Sequence, residues 1–158
     1  MEWLILLIVW PLLMLLHELG HVICGLMMGY KLEYIGFSRG SIFPHVAMTA
    51  YRETRLRHSV FLLGGFLSTL TLFVLFSLRV LDAPQVIFTA FFVQLAIETN
   101  PFFSDFSMLL FYHESYLSSR SDISQLKEKI KDQWFSPKWY LHLSLWILLI
   151  LGLFRYIF

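Results

Sequence analysis

The strongest constraint on this chain is the apolar stretch from Trp3 to Met28, in which His17, Glu18, His21 and Cys24 are the only ionisable side chains. A helix of about 20 apolar residues crosses a hydrocarbon core about 30 Å thick. Three more segments reach that length: Ser59 to Leu81, Val86 to Phe111 and Tyr140 to Phe158. The expected fold is all-α and membrane-integral. It has about four transmembrane helices, a small membrane-associated β-hairpin region after the first helix, and a single domain over residues 1–158. An apolar content of 58% suits that class and exceeds the soluble norm. The opening run begins with Glu2, lacks a basic leader region and shows no small-residue cleavage site, so it is expected to remain in the mature protein.

A net charge of +1 provides no basic field for nucleic acid, so the distribution of charge matters more than its sum. With four spans, the loops Gly29 to His58 and Tyr112 to Trp139 share one side and hold ten of the twelve basic residues, leaving Arg79 and Arg155 opposite. The positive-inside bias then puts both long loops in the cytoplasm and both termini outside. The link Asp82-Ala83-Pro84 makes a tight hairpin, with Asp82 capping the third span and Pro84 entering its first turn. In the first loop, Ser41-Ile42-Phe43 and Val46 to Tyr51 look strand-like among Gly36, Gly40 and Pro44, and an unpaired edge there could hold an extended peptide. In the second, Asp122 and Gln125 resemble a capping box. Ile123, Leu126, Ile130 and Trp134 follow at helical spacing, as in a helix lying on the bilayer. Trp134, Phe135, Trp139 and Tyr140 would form an interfacial aromatic belt.

His17-Glu18-Leu19-Gly20-His21 is an HExxH motif. On a helix its histidines sit at i and i+4, stacked on one face, and both imidazoles can reach one zinc ion. Glu18 is then placed as general base toward water activated by the metal. A chance match or packed histidines is the competing reading, disfavoured because ionisable groups inside a span are costly. A catalytic zinc needs a third protein ligand, and Asp105 lies within roughly 3 Å of the motif in depth at 1.5 Å per residue. Pro101 should open its helix locally, which is tolerated at membrane depth only beside a cavity or polar site. Glu98 is the substitute ligand, and an interhelical hydrogen bond is the plain alternative for Asp105. Cys24 is better explained as a packed residue than as a thiolate ligand. The pairs Gly64/Ser68, Gly65/Thr69 and Gly25/Gly29 allow close helix approach. His45, His58, His113 and His142 fit interfacial positions better than ligand roles.

Three motifs in order, His17-Glu18-Leu19-Gly20-His21, Gly64-Gly65-Phe66-Leu67-Ser68 and Asn100-Pro101 leading to Asp105, resemble the site-2 protease class of intramembrane zinc metalloproteases (peptidase M50-like). The resemblance covers roughly residues 10 to 111. It implies one Zn2+ per chain held by His17, His21 and Asp105, catalysis by Glu18, and a role for Asn100 in positioning the substrate or polarising its carbonyl. It also implies hydrolysis of membrane-anchored or membrane-spanning proteins near the cytoplasmic side, with the glycine-rich stretch lying against the catalytic helix. The chain departs from the pattern in Phe106, where the family usually has Gly after its aspartate, and in a short Asn-to-Asp interval. The expected partners are a membrane protein substrate, a regulatory membrane protein and the lipid bilayer, in a prokaryotic cell membrane. The rival readings are an inactive membrane binding module of the same fold and a small metal transporter. A serine-based protease is disfavoured because no span pairs Ser with His convincingly.

Overall fold

The opening apolar run folds as one helix, α1 (Glu2–Met27), continuous through Pro11. The structure, a computed structural model, describes residues 2–37, 44–49, 54–78, 84–102, 104–112 and 134–157. Past the end of α1, Gly29 adopts a left-handed φ of +80°. Its N–H bonds the Leu26 carbonyl at 3.0 Å while the Tyr30 N–H bonds that of Gly25 at 2.9 Å, the paired bonds of a glycine helix stop. Gly29 therefore terminates the helix and, with open space around it, packs against nothing, contrary to its expected place in a close-packing pair. Gly25 does pack: a Cβ there would meet the Met48 sulfur and the Phe61 ring.

Released by that stop, the chain forms a two-stranded antiparallel sheet of β1 (Lys31–Phe37) and β2 (Pro44–Thr49), with Lys31 opposite Thr49 and Ile35 opposite Val46. The register shifts between Leu32 and Tyr34. The sheet is the expected hairpin region, with β1 formed by residues whose sequence does not look strand-like, while the strand-like Ser41 to Phe43 lies outside the described residues.

Helix α2 (Arg55–Ser77) starts a turn before the expected Ser59, because Thr54 is extended and its hydroxyl accepts the Arg57 N–H at 3.4 Å. This places His58 inside the helix and buried rather than at an interface. Two glycines bring α1 and α2 together: a Cβ on Gly20 would strike the Gly64 carbonyl, and one on Gly64 would lie 2.6 Å from the Gly20 carbonyl oxygen. The Ser68 hydroxyl lies 2.7 Å from the Gly65 carbonyl of its own helix and 3.0 Å from the Leu16 carbonyl across the contact, so its single proton is shared between the two helices. Leu13, Ala90 and Phe91 form a core here, flanked by Leu6, Val9, Leu72, Phe73, Phe76 and Ile87.

The third apolar segment departs most from expectation. In place of a span from Val86 to Phe111, helix α3 (Gln85–Glu98) has 14 residues, about 21 Å at 1.5 Å per residue. Its continuation is a turn through Thr99 to Phe102, a short helix α4 (Asp105–Ser107) and one π-helical turn, Met108–Tyr112. The expected Asp82 cap and the surface helix from Asp122 lie outside the described residues. The last helix, α5 (Pro137–Ile157), begins before the expected Tyr140, since Ser136 caps it by accepting the Trp139 N–H at 3.2 Å and Pro137 suits the first helical position.

The chain divides into two compact units, Met1–Leu95 and Ala96–Tyr156, the boundary falling within α3. The second has its own core: buried Trp139 with Phe102, Met108, Trp134 and Leu143 around it. Trp139 thus belongs to the interior of its unit rather than to a surface aromatic belt.

Among the described residues, two helices, Leu4–Met27 and Arg55–Ser77, are long and apolar enough to cross a membrane, and α3 is apolar but shorter. Only 22% of each long window is buried. Leu7, Ile8, Leu12, Leu15, Leu19 and Ile23 of α1 are all exposed, so the outward face of this helix is as apolar as its packed one.

Candidate metal centre

Because α1 is regular at residues 17–21, the i, i+4 spacing brings the His17 and His21 rings together, centroids 4.7 Å apart and planes at 83°. Their Nε2 atoms are 3.0 Å apart. Tetrahedral zinc with Zn–N bonds of about 2.0–2.1 Å would separate two imidazole nitrogens by about 3.3 Å, so the pair is close to a metal-ready spacing. The tautomer of His21 follows from its other nitrogen. Its Nδ1 lies 2.7 Å from the Phe61 carbonyl oxygen, which can only accept, so Nδ1 is the donor and Nε2 the nitrogen left to face a ligand. A carbonyl holding the far nitrogen of a ligand histidine is the usual outer support of a metal site.

Space for His17 comes from Gly65. A Cβ at that position would run into the His17 ring, 2.5 Å from Nε2 and 2.6 Å from Nδ1. The Gly64-Gly65 pair thus has two separate tasks, one for the helix contact and one for the imidazole. His21 is buried at 5% exposure, while His17 and Glu18 are half-buried.

Asp105, also half-buried, is the first residue of α4. The preceding Ser104 caps that helix, its hydroxyl accepting the Ser107 N–H at 3.2 Å. Ser104 and Ser107, both buried, also donate their hydroxyls to the Asn100 carbonyl at 2.5 and 2.9 Å. Asn100 builds the turn itself: its Oδ1 accepts the Phe102 N–H at 2.9 Å and its Nδ2 donates to the Ile97 carbonyl. That carbonyl is the one Pro101, lacking an N–H, would have served in a continued helix.

His17 and His21 belong to the first unit and Asp105 to the second. With His17 and His21, Asp105 makes up a group of the kind that could hold a metal ion. Two imidazoles and a carboxylate make the donor set of a catalytic zinc site that leaves a fourth position open. Glu98, the substitute ligand, is buried near the end of α3 and stands outside this group. So does Cys24, whose Cβ instead faces the Gly64 position. Of the other histidines, His45 packs its ring on Tyr34 and His142 bonds the Thr99 carbonyl at 3.0 Å, whereas His113 lies outside the described residues.

Sequence reasoning missed the Phe61 carbonyl and the Ser104 and Ser107 hydroxyls. A main-chain oxygen leaves no trace in residue type. The serines did leave one, since Ser-Asp-x-Ser is a plausible capped helix start. No family model, no curated protein and no solved structure matches this chain.

Proposed function

We propose that this chain is an intramembrane zinc metalloprotease of the site-2 protease kind, which hydrolyses peptide bonds of membrane-anchored or membrane-spanning proteins. The observation that carries the reading is the His17, His21 and Asp105 group, set on helices whose other exposed residues are overwhelmingly apolar. Polar groups in such surroundings are costly and are retained for function. Zinc held by the three would act as a Lewis acid and activate water near neutral pH.

The remaining work falls to the protein's own side chains. Glu18, next to His17 in the motif, takes a proton from the attacking water and delivers it to the leaving amine. His21 donates from Nδ1 to the Phe61 carbonyl, which orients its Nε2 for the metal. Asn100 shapes the turn that leads to Asp105, and the family resemblance gives it a second task in orienting the substrate carbonyl. A helical substrate must unwind to expose a peptide bond, and pairing with an edge of the β1–β2 sheet would hold it extended. In this reading the chain crosses the membrane four times, with the two basic loops in the cytoplasm and cleavage near that side.

The decisive experiment compares the purified full-length chain with Glu18→Gln. Cleavage of a membrane-anchored substrate should fall by at least the 10²–10⁴-fold typical of a lost general base, with zinc content unchanged. Undiminished cleavage would remove Glu18 from the mechanism. Zinc-free wild-type protein would remove the hydrolase reading altogether.

A further inference from the structure

The segment before Asp105 is a helix taken apart, and side chains take over the work of its backbone donors. Pro101 has no N–H, and the Asn100 N–H, which would serve Ala96 in a continued helix, bonds Ile97 instead at 3.3 Å. Five carbonyls between Ala96 and Pro101 accept from side chains. Asn100 Nδ2 serves Ile97, and the Ser104 and Ser107 hydroxyls serve Asn100. The other three donors come from α5: Trp146 Nε1 to Ala96 at 2.9 Å, His142 Nε2 to Thr99 at 3.0 Å and Trp139 Nε1 to Pro101 at 3.1 Å. The His142 nitrogen must carry a proton, because its partner is a carbonyl.

Residues 139, 142 and 146 stand at i, i+3 and i+7, which is one face of a helix. Around the rest of α5, Leu141, Leu145, Leu148, Leu151 and Phe154 are exposed and apolar. In hydrocarbon a broken helix persists only if its liberated main-chain groups find partners inside the protein. Filling space would require only the rings. Here all three ring N–H groups end on main-chain oxygens of the one interrupted segment.

We infer that Trp139, His142 and Trp146 are positioning residues: as a donor stripe on α5 they hold the proline-broken segment in the shape that sets Asp105. What Asp105 is set for rests on the zinc reading above, whereas the clamp can be measured without metal.

The test uses full-length Trp139→Phe, Trp146→Phe and His142→Leu. Beside them stand wild type, Asp105→Ala, and His142→Gln as the conservative variant that keeps a donor. In metal-free protein, hydrogen exchange at the Phe102 and Ser107 amides should speed up roughly tenfold in the Phe and Leu variants and stay near wild type in His142→Gln. Zinc affinity by chelator competition should fall in the same variants by the tenfold to hundredfold typical of lost outer-shell partners. Wild-type exchange at both amides in Trp139→Phe, Trp146→Phe and His142→Leu would overturn the clamp. So would wild-type zinc affinity in all three while Asp105→Ala binds more weakly. If exchange accelerates as expected but wild type retains no zinc, the clamp stands and the zinc reading is what fails.

Discussion

Helix α1 and the α3–α4 segment each contain a proline and each contribute to the proposed zinc site, yet they do so in opposite ways. In α1 the backbone runs unbroken through Pro11, and the ligand pair is a product of helical periodicity alone. In α3–α4 the helix stops at Glu98, and Asp105 is delivered by a turn in which Asn100, Ser104 and Ser107 replace main-chain hydrogen bonds. Proline is therefore not sufficient to break an apolar helix. What separates the two is the supply of side-chain donors around the second proline, against a first flanked by Trp10 and Leu12. A regular helix gives position with no upkeep but also with no tolerance, whereas a broken one spreads the task over many small bonds.

Substitutions can sharpen or break this contrast. The largest effect is expected on the regular side. Gly65→Val places carbon where the His17 ring sits, so metal analysis should find the zinc lost while the chain still inserts in the membrane. Next is Asp105→Ala, which should weaken zinc by more than the tenfold to hundredfold typical of an outer-shell change, with Glu98→Ala close to wild type in the same chelator competition. Ser104→Ala removes one helix cap, worth about 1 kcal/mol, and should appear as about fivefold weaker zinc retention. Pro11→Ala should leave zinc affinity untouched. A large effect of Pro11→Ala together with none from Ser104→Ala would reverse the comparison.

The same contrast explains what could be read from the residues alone. The pairing of His17 with His21 is legible because periodicity fixes relative position within a helix, whereas helical rise from a continuous third span is not what positions Asp105, since α3 ends at Glu98. The course of the chain after Glu98 was less legible. Pro101 signalled an opening, but the length of the interruption depends on which hydroxyls and indoles reach it, and those lie as far away as Trp146. Strand β1 escaped notice because Lys31 and Glu33 dilute its apolar pattern, while its partner supplies the pairing. The early start of α2 was legible in principle: Thr54 is a good cap, but the basic residues after it suggested a loop.

The seam where Gly20 meets Gly64 has a mechanical consequence. With no side chain between two main chains, there is nothing at that seam to swing, compress or re-rotamerise. Helices α1 and α2 should travel as one plate, carrying the imidazole pair with them. Opening between elements of this chain should therefore take place away from the α1–α2 seam.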